Sequence, residues 1–385
     1  MKPAAPPAHP LTVMHLLPAL DSGGVERYVM NLSAALIHAG HRAVIVSSGG
    51  RMVRELTALG AEHHTLAVHR KSLLSVLKVR ALRRLIEDVR PDVLHLHSRV
   101  PAWLAHYALR GMENPPPTVS TVHGLYSVNR YSRIMARAMR VIAVSEACRQ
   151  YILQNYPDTP PASIRLIHNG IDPIRFPRGF QADDDWRAAF RKEFPQLAGK
   201  HLLTLPGRLT RLKGHMDFID LIARLRTQHP DIHGLIVGEI PRSKKRYRAE
   251  LEARIRRLDL QGCITFTGAR ADIREIYAVS HIVYCLSSQP ESFGLTIAEA
   301  LALGVPVLGW NHGGAGEILH TMYPEGAIDL NNRTALFSRS HQLLGQSTRP
   351  PIAALPAAFT HHNMCRATIG VYHELYELSH QETAK

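Results

Sequence analysis

The sequence predicts an α/β protein built from two Rossmann-like domains in series, facing a cleft. Short apolar runs alternate with helix-period stretches from residue 11 onward. A polar, aperiodic stretch, "PRGFQADDDWR" at 177–187, then interrupts the alternation, after which the same pattern starts again. A chain of 385 residues exceeds one ordinary core, and its 45% hydrophobic content can build two.

The elements follow in order. "LTVMHLLPAL" (11–20) reads as a buried strand, "DSGG" as a turn, "VERYVMNLSAALIHAG" (25–40) as an amphipathic helix stopped at Gly40, and "HRAVIVSS" (41–48) as the next strand. That is a βαβ unit. Further strands are expected at "DVLHLHS", "TVSTVHG", "VIAVS" and "IRLIHNGID". After the interruption, "HLLTLPGRL" is a strand, "TRLKG" a loop, "HMDFIDLIARLRTQHP" a helix and "IHGLIVGEI" a strand, with later strands at "CITFTG", "HIVYCLS" and "GVPVLGW". The boundaries are set at 1–10 for a disordered leader, 11–178 for the N-terminal domain and 179–364 for the C-terminal domain. Ligands of such sheets bind at the C-terminal ends of the strands.

Composition narrows the function classes. Lys and Arg number 46 against 32 Asp and Glu, a formal charge of +14, which suits a polyanion: nucleic acid, anionic membrane or phosphorylated substrate. No aromatic-interleaved basic platform speaks for nucleic acid. Cys148, Cys263, Cys285 and Cys365 lie far apart without metal or disulfide spacing, so a reducing cytoplasm is expected. "MKPAAPPAHP" lacks the apolar core of a signal peptide, and no window approaches about 18 apolar residues, so any membrane contact is expected to be peripheral.

The most informative stretch is "SSQPESFGLTIAEALALGVPVLGW" (287–310). It reads as a loop, a short helix and a buried strand. Glu291 lies in the loop and Glu299 about one turn into the helix, leaning back toward its N-terminus, so both carboxylates can face one ligand. Between them, the backbone N–H groups of Phe293, Gly294, Leu295 and Thr296 form a helix start that favours phosphate. Carboxylates flanking a phosphate site suit hydroxyls around it, hence a polyol carrying a phosphate. In "PGRLTRLKG", Arg208 and Lys213 stand five apart after a strand and can clamp a diphosphate.

In the first domain, Gly23 and Gly24 occupy the first strand-to-helix turn, which serves either as an ordinary tight turn or as a close approach to a ligand. The pattern is not GxGxxG, and no acid ends the second strand, which disfavours NAD. His123, at a strand end, can hydrogen-bond a ligand hydroxyl. His95 and His97 alternate along one strand with no carboxylate at ligand spacing and are read as structural. "ADDDW", Asp183 to Asp185, mimics a metal-holding DxD but sits in the interruption and is read as a solvated acidic turn. Two basic stretches remain. "HRKSLLSVLKVRALRRLI" is expected to place Leu73, Leu74, Leu77, Ala81 and Leu85 on one face, and Arg130, Arg133, Arg137 and Arg140 to stripe a helix after His123. Each reads equally as an anionic-membrane face or as the charged outer face of a packed helix.

Taken together, "SGGVERYVMNLSAAL", "STVHG", "VIAVSEA", "IHNGID", "GRLTRLKG" and "PESFGLTIAEALALGVPVLGWNHGGAGEIL" resemble the retaining glycosyltransferases of family 4, of GT-B fold, from about residue 12 to 320. The wording around "PESFGLTIAEALALGVPV" looks most like bacterial lipopolysaccharide-core transferases. The resemblance implies transfer of a hexose from a nucleotide-sugar donor, expected to be UDP-linked, to a lipopolysaccharide-core or related glycoconjugate acceptor, without metal or other cofactor, at the cytoplasmic membrane face. It implies that Arg208 and Lys213 bind the donor diphosphate, Glu299 the ribose, Glu291 and His123 the sugar, and Phe293 to Thr296 the phosphate, while Gly23 and Gly24 let the first domain close on the donor. It names no dedicated general base. It also implies that residues 365–385 return as a helix to the first domain. One departure is Glu239 in "VGEIPRSKKRY", where many relatives carry glycine. Two other classes stand beside this one: a nucleotide-sugar epimerase of the same fold, against which the GR…KG loop and the E-x7-E pair argue, and a non-enzymatic polyanion-binding protein.

Overall fold

The computed structural model describes residues 9–21, 23–68, 75–239 and 245–383, and the chain forms two compact units. The leader, Leu73 and Leu74 of the first basic stretch, and the centre of the 237–247 loop fall outside the described residues, apart from His9 and Pro10. One unit comprises residues 1–170 with 357–385, the other 171–356, where the sequence placed boundaries at 178/179 and 364/365.

In the first unit the order is β1 (Thr12–Leu16), α1 (Gly24–His38), β2 (Arg42–Ser47), α2 (Val53–Ala58), β3 (Glu62–Thr65), α3 (Ser75–Val89), β4 (Val93–Leu96), α4 (Arg99–Leu109), β5 (Thr118–Val122), β6 (Arg140–Ala143), α5 (Glu146–Asn155) and β7 (Ile164–Leu166). The seven strands pair in parallel in the order β3-β2-β1-β4-β5-β6-β7. Strands buried on both faces read as continuous apolar runs, which is why β1, β2 and β4 are visible in the sequence. β3, "EHHT", is short and partly exposed at the sheet edge, and it gives no such signal. Helix α1 buries Tyr28, Val29, Leu32, Ser33 and Leu36, the spacing of one helical face.

The second unit repeats the plan: α6 (Asp184–Glu193), β8 (His201–Pro206), α7 (His215–Arg226), β9 (Ile232–Val237), α8 (Lys245–Arg257), β10 (Ile264–Gly268), α9 (Ile273–Val279), β11 (Ile282–Cys285), α10 (Leu295–Ala302), β12 (Val307–Trp310), α11 (Gly313–Met322), β13 (Ala327–Ile328) and α12 (Arg333–Leu344). Its sheet is parallel in the order β10-β9-β8-β11-β12-β13, the same winding counted from its first strand. The core between sheet and helices includes Phe218, Tyr284 and Trp310. The α/β class with two Rossmann-like units is therefore the observed architecture.

Three expectations are corrected. Asp183 to Asp185 are exposed, as a solvated run should be, but they start α6 instead of forming a turn: Asp183 is its N-cap, its carboxylate accepting from the Trp186 amide at 2.7 Å. Arg130, Arg133, Arg137 and Arg140 do not stripe a helix, because only a 3-10 turn at Ser132–Ala136 follows β5 and Arg140 begins β6. There Arg133 pairs with Asp158, and Arg140 with Glu374 at 2.8 Å. In α3, Leu77 and Ala81 are exposed, while Leu82 and Ile86 are buried. The helix packs on α4, with Arg83 donating to the Ala108 and Arg110 carbonyls at the α4 C-terminus, and that contact selects the buried face.

The last helix, α13 (His361–Thr383), belongs to the first unit and packs on α1, over the stretch where the sequence expects a returning helix at 365–385. Val371, Tyr372 and Leu375 enter the first unit's core. Glu374 bridges Arg140 and Arg165, tying α13 to β6 and β7. Leu375 is fully buried, so Leu375→Ala is expected to destabilise this unit by about 2–5 kcal/mol. Hydrogen exchange resolved by unit checks it: protection should fall in 9–170 and 357–383 and stay unchanged in 171–356.

Candidate functional site

In the second unit the strand order reverses between β8 and β11, the point where parallel α/β sheets bind ligands. The chain leaving β8 makes a 3-10 turn at Arg211–Lys213 and enters α7 through Gly214. Gly214 has φ +73°, and a Cβ there would lie 2.0 Å from the Leu286 carbonyl oxygen. Only glycine permits both, which explains the "KG" of the loop. The chain leaving β11 reaches Glu291, whose backbone bridges to α11: the Gly314 N–H donates to the Glu291 carbonyl at 2.8 Å. Gly294 (φ +106°) then opens α10 with no side-chain cap.

These two loops bring Lys213 and Glu291 into direct contact, Lys213 Nζ to Glu291 Oε1 2.5 Å, with the Ser287 hydroxyl donating to the same oxygen at 2.5 Å. The side chains are about one-third and one-quarter exposed. Burial alone would lower the Lys213 pKa, but the Glu291 charge and hydrogen bond reverse this and raise it. Burial would likewise raise Glu291, yet the Lys213 charge, the hydrogen bonds from Lys213 and Ser287 and the nearby His312 bring it below the usual carboxylate range. Both groups therefore stay charged at neutral pH. Arg208 is exposed and close enough to Lys213 to oppose its protonation, so two cations and one carboxylate share this end of the sheet.

Phe293 is buried, while Leu295, Thr296 and Glu299 are partly exposed. At the start of α10 the Ile297 and Ala298 N–H groups donate to the Gly294 carbonyl at 3.0 and 3.2 Å, and no side chain caps the helix. Glu299 sits in the second turn, and its charge, after burial, raises the buried Tyr277 hydroxyl. Glu239, the departure from the family pattern, accepts the Leu209 N–H at 2.9 Å through its carbonyl, a backbone role open to any residue.

Sequence reasoning missed three neighbours of Glu291. Ser287 stands four residues before it, Cys285 ends β11 with its thiol pushed up to about 11 by burial and by Glu291, and His312 donates from Nε2 to the Ser287 carbonyl at 2.8 Å. Ser287 opens the same informative stretch, but nothing in spacing alone separates it from Ser288.

The first unit places Gly23 at the α1 N-cap with an extended backbone (φ 160°), where a Cβ would meet only the flexible Glu26 carboxylate. The fold thus makes no strong demand for glycine at 23. Gly24 begins α1. His123 follows β5 and joins a group the sequence did not assemble: His15 in β1, with His95 and His97 from β4 and its end. His15, His95 and His97 are buried and offer nitrogens within 4.8 Å of one another, a spacing that a metal ion could bridge. Both His95 nitrogens are engaged, by the Tyr372 hydroxyl at 2.6 Å and the Thr121 hydroxyl at 2.7 Å. Burial pushes His15 and His123 down to about 3 and His95 and His97 well below the usual histidine range.

Two parallel sheets of this winding have the GT-B fold. Residues 22–175 match the Glycosyltransferase Family 4 model and residues 187–344 the Glycosyl transferases group 1 model, so the chain is a glycosyltransferase with a family-4 domain in its first unit. It is 27% identical over 335 residues to a subunit of the human phosphatidylinositol N-acetylglucosaminyltransferase, covering 80% of this chain and 63% of that protein. It is 29% identical over 345 residues to the glycogen synthase of Mycobacterium tuberculosis, covering 78% and 77%. Among solved structures, a glycosyltransferase from Rickettsia africae ESF-5 superposes with TM-score 0.82 at 26% identity, covering 95% and 98% of the two chains. In fold it also matches Anabaena HepE in complex with UDP and glucose (TM-score 0.75, 19%, covering 97% and 100%) and WaaG, a glycosyltransferase involved in lipopolysaccharide biosynthesis (0.67, 16%, covering 96% and 98%).

Two outcomes are expected. Lys213→Met strands a half-buried carboxylate and should destabilise the second unit by about 1–3 kcal/mol, with part recovered in the Lys213→Met/Glu291→Gln pair, as read by a double-mutant cycle in urea. For the histidines the folded pKa lies below the unfolded value of 6.5. Their contribution is complete above pH 6.5 and is lost as pH falls from there toward about 3. Stability of the first unit should therefore drop below pH 6.5, with a slope of up to about 1.4 kcal/mol per pH unit for each buried histidine, and the slope should be shallower in His15→Leu.

Proposed function

We propose that this glycosyltransferase moves a hexose from a UDP-sugar to a lipopolysaccharide-core or related glycoconjugate acceptor with retention of anomeric configuration. The observation that carries the reading is the Lys213–Glu291 contact at the β8/β11 switch point, beside Arg208 and the uncapped start of α10. It supplies the two things a nucleotide-sugar demands, cations for a diphosphate and a carboxylate for hydroxyls.

In this reading Arg208 and Lys213 stabilise the charge that grows on the departing diphosphate, with the Phe293 to Thr296 amides sharing it. Glu291 accepts from donor sugar hydroxyls and Glu299 from the ribose. His123 hydrogen-bonds the sugar, and Gly23 and Gly24 admit the donor closely. The acceptor hydroxyl attacks on the face the phosphate leaves, its proton passing to that phosphate, so no side chain acts as general base. Phosphate charge is met by side chains and amides without a metal. Asp183, the first acid of the DxD-like run, is engaged as a helix cap. Among the described residues no helix is long and apolar enough to cross a membrane, and work at the inner membrane face would rest on peripheral contact.

Two experiments test this. Thermal shifts against UDP-, GDP- and ADP-sugars should show stabilisation by a UDP-sugar, insensitive to EDTA and lost in Lys213→Ala. Glu291→Ala should lower transfer by about 100-fold or more while retaining the circular dichroism of the parent. Full activity in that variant would sink the assignment, and turnover of donor without acceptor would point instead to an epimerase.

A further inference from the structure

The Glu291 carboxylate is held by one oxygen. Lys213 Nζ and the Ser287 hydroxyl both reach Oε1, each at 2.5 Å. Among the described residues no protein group holds Oε2, which is left to solvent or to a ligand, and the side chain is about one-quarter exposed. Two donors converging on one oxygen point the other away from them. The two donors differ in kind. Lys213 carries its charge on a long stem with many rotamers, whereas Ser287 is short and buried, so its hydroxyl goes where the loop backbone puts it.

That backbone is pinned from both sides. The Ser288 N–H donates to the Leu212 carbonyl of the loop after β8 at 2.8 Å, and the Gly314 N–H donates to the Glu291 carbonyl at 2.8 Å. His312 Nε2 lies 2.8 Å from the Ser287 carbonyl. A carbonyl only accepts, so His312 carries a proton on Nε2. The start of α11 also lies directly under the loop: a Cβ on Gly313 would come within 2.6 Å of the Glu291 carbonyl oxygen, and one on Gly314 within 2.5 Å of Phe293 Cα. Glycine at both positions lets the segment from His312 to Gly314 serve as a close-fitting bed for residues 287–293.

We propose that Ser287 and His312 are positioning residues: His312 sets Ser287, Ser287 holds Glu291 by Oε1, and Oε2 is thereby aimed at ligand hydroxyls. The proposal deepens the reading of Glu291 as the acceptor from donor-sugar hydroxyls and, for its kinetic consequence, rests on it. It also separates two tasks at Oε1. With Lys213 turned to a diphosphate, the Ser287 hydrogen bond still keeps the carboxylate in place.

The first test needs no turnover. In the full chain, labelled with 13C at the glutamate side-chain carboxyl, the Glu291 signal is identified by its loss in Glu291→Gln and followed against pH. Ser287→Ala removes a hydrogen bond to the charged form, so the Glu291 midpoint should rise by about one pH unit and return in Ser287→Thr. A midpoint unchanged in Ser287→Ala overturns the hold. His312→Ala should also raise it, and His312→Gln, which keeps an N–H for the Ser287 carbonyl, should restore it; a midpoint that stays raised in His312→Gln overturns the role of His312. Should Ser287→Ala fail to fold, the two His312 variants still decide. The second test is kinetic. With donor and acceptor, kcat/KM should fall about 10-fold in Ser287→Ala and recover in Ser287→Thr. In a Glu291→Ala background Ser287→Ala should cost nothing further, because a positioning residue acts only through the group it positions. Losses that add overturn the positioning role. A Glu291 midpoint that responds to Ser287 in a protein without transfer activity would refute the proposed function while leaving the hold standing.

Discussion

Parallel pairing is the constraint on which the rest of this structure depends. Strands that all run one way can be joined only by crossovers, so helices cover both faces and every strand ends at the same rim of its sheet. In the second unit this puts the loops after β8 and β11 side by side, although 78 residues separate Lys213 from Glu291. In the first it sets the ends of β1, β4 and β5 next to one another and collects His15, His97 and His123. The chemistry is therefore a product of winding order more than of any local motif.

The Lys213–Glu291 contact shows how such a rim holds charge. Burial works against the charge of each partner, and the other, 2.5 Å away, more than offsets it. Partial exposure limits the desolvation cost and leaves both groups reachable by solvent. Ser287 of the same loop holds the Glu291 carboxylate, and its carbonyl accepts in turn from His312 after β12.

In the first unit the tie is neutral. Four histidines are held uncharged by burial, and α13 closes over them with Tyr372 on His95 and Thr368 near the Tyr28 hydroxyl at 3.3 Å. Buried polar groups of this kind tolerate little misplacement, because any partner lost leaves a donor or acceptor dry. The last helix is thereby part of the first unit's polar interior as well as of its apolar core.

The sequence by itself determined the α/β class, the doubling of the plan and the GR…KG and E-x7-E elements, because these depend on local period and on glycines that particular turns require. Gly214 is legible for that reason, its φ and its closeness to Leu286 leaving no alternative. Short or exposed pieces such as β3 and β13 carry too little period to be read, and the apolar face of α3 is misjudged from sequence because a neighbouring helix, not the helix itself, chooses which side is buried. Contacts were decided only by tertiary structure: Asp183 as a cap, Arg140 as a strand residue paired to Glu374, Ser287 on Glu291, and His15 joined to His97 across 82 positions. Residues distant in the chain meet only through strand order and crossover path, and neither is written in any single segment.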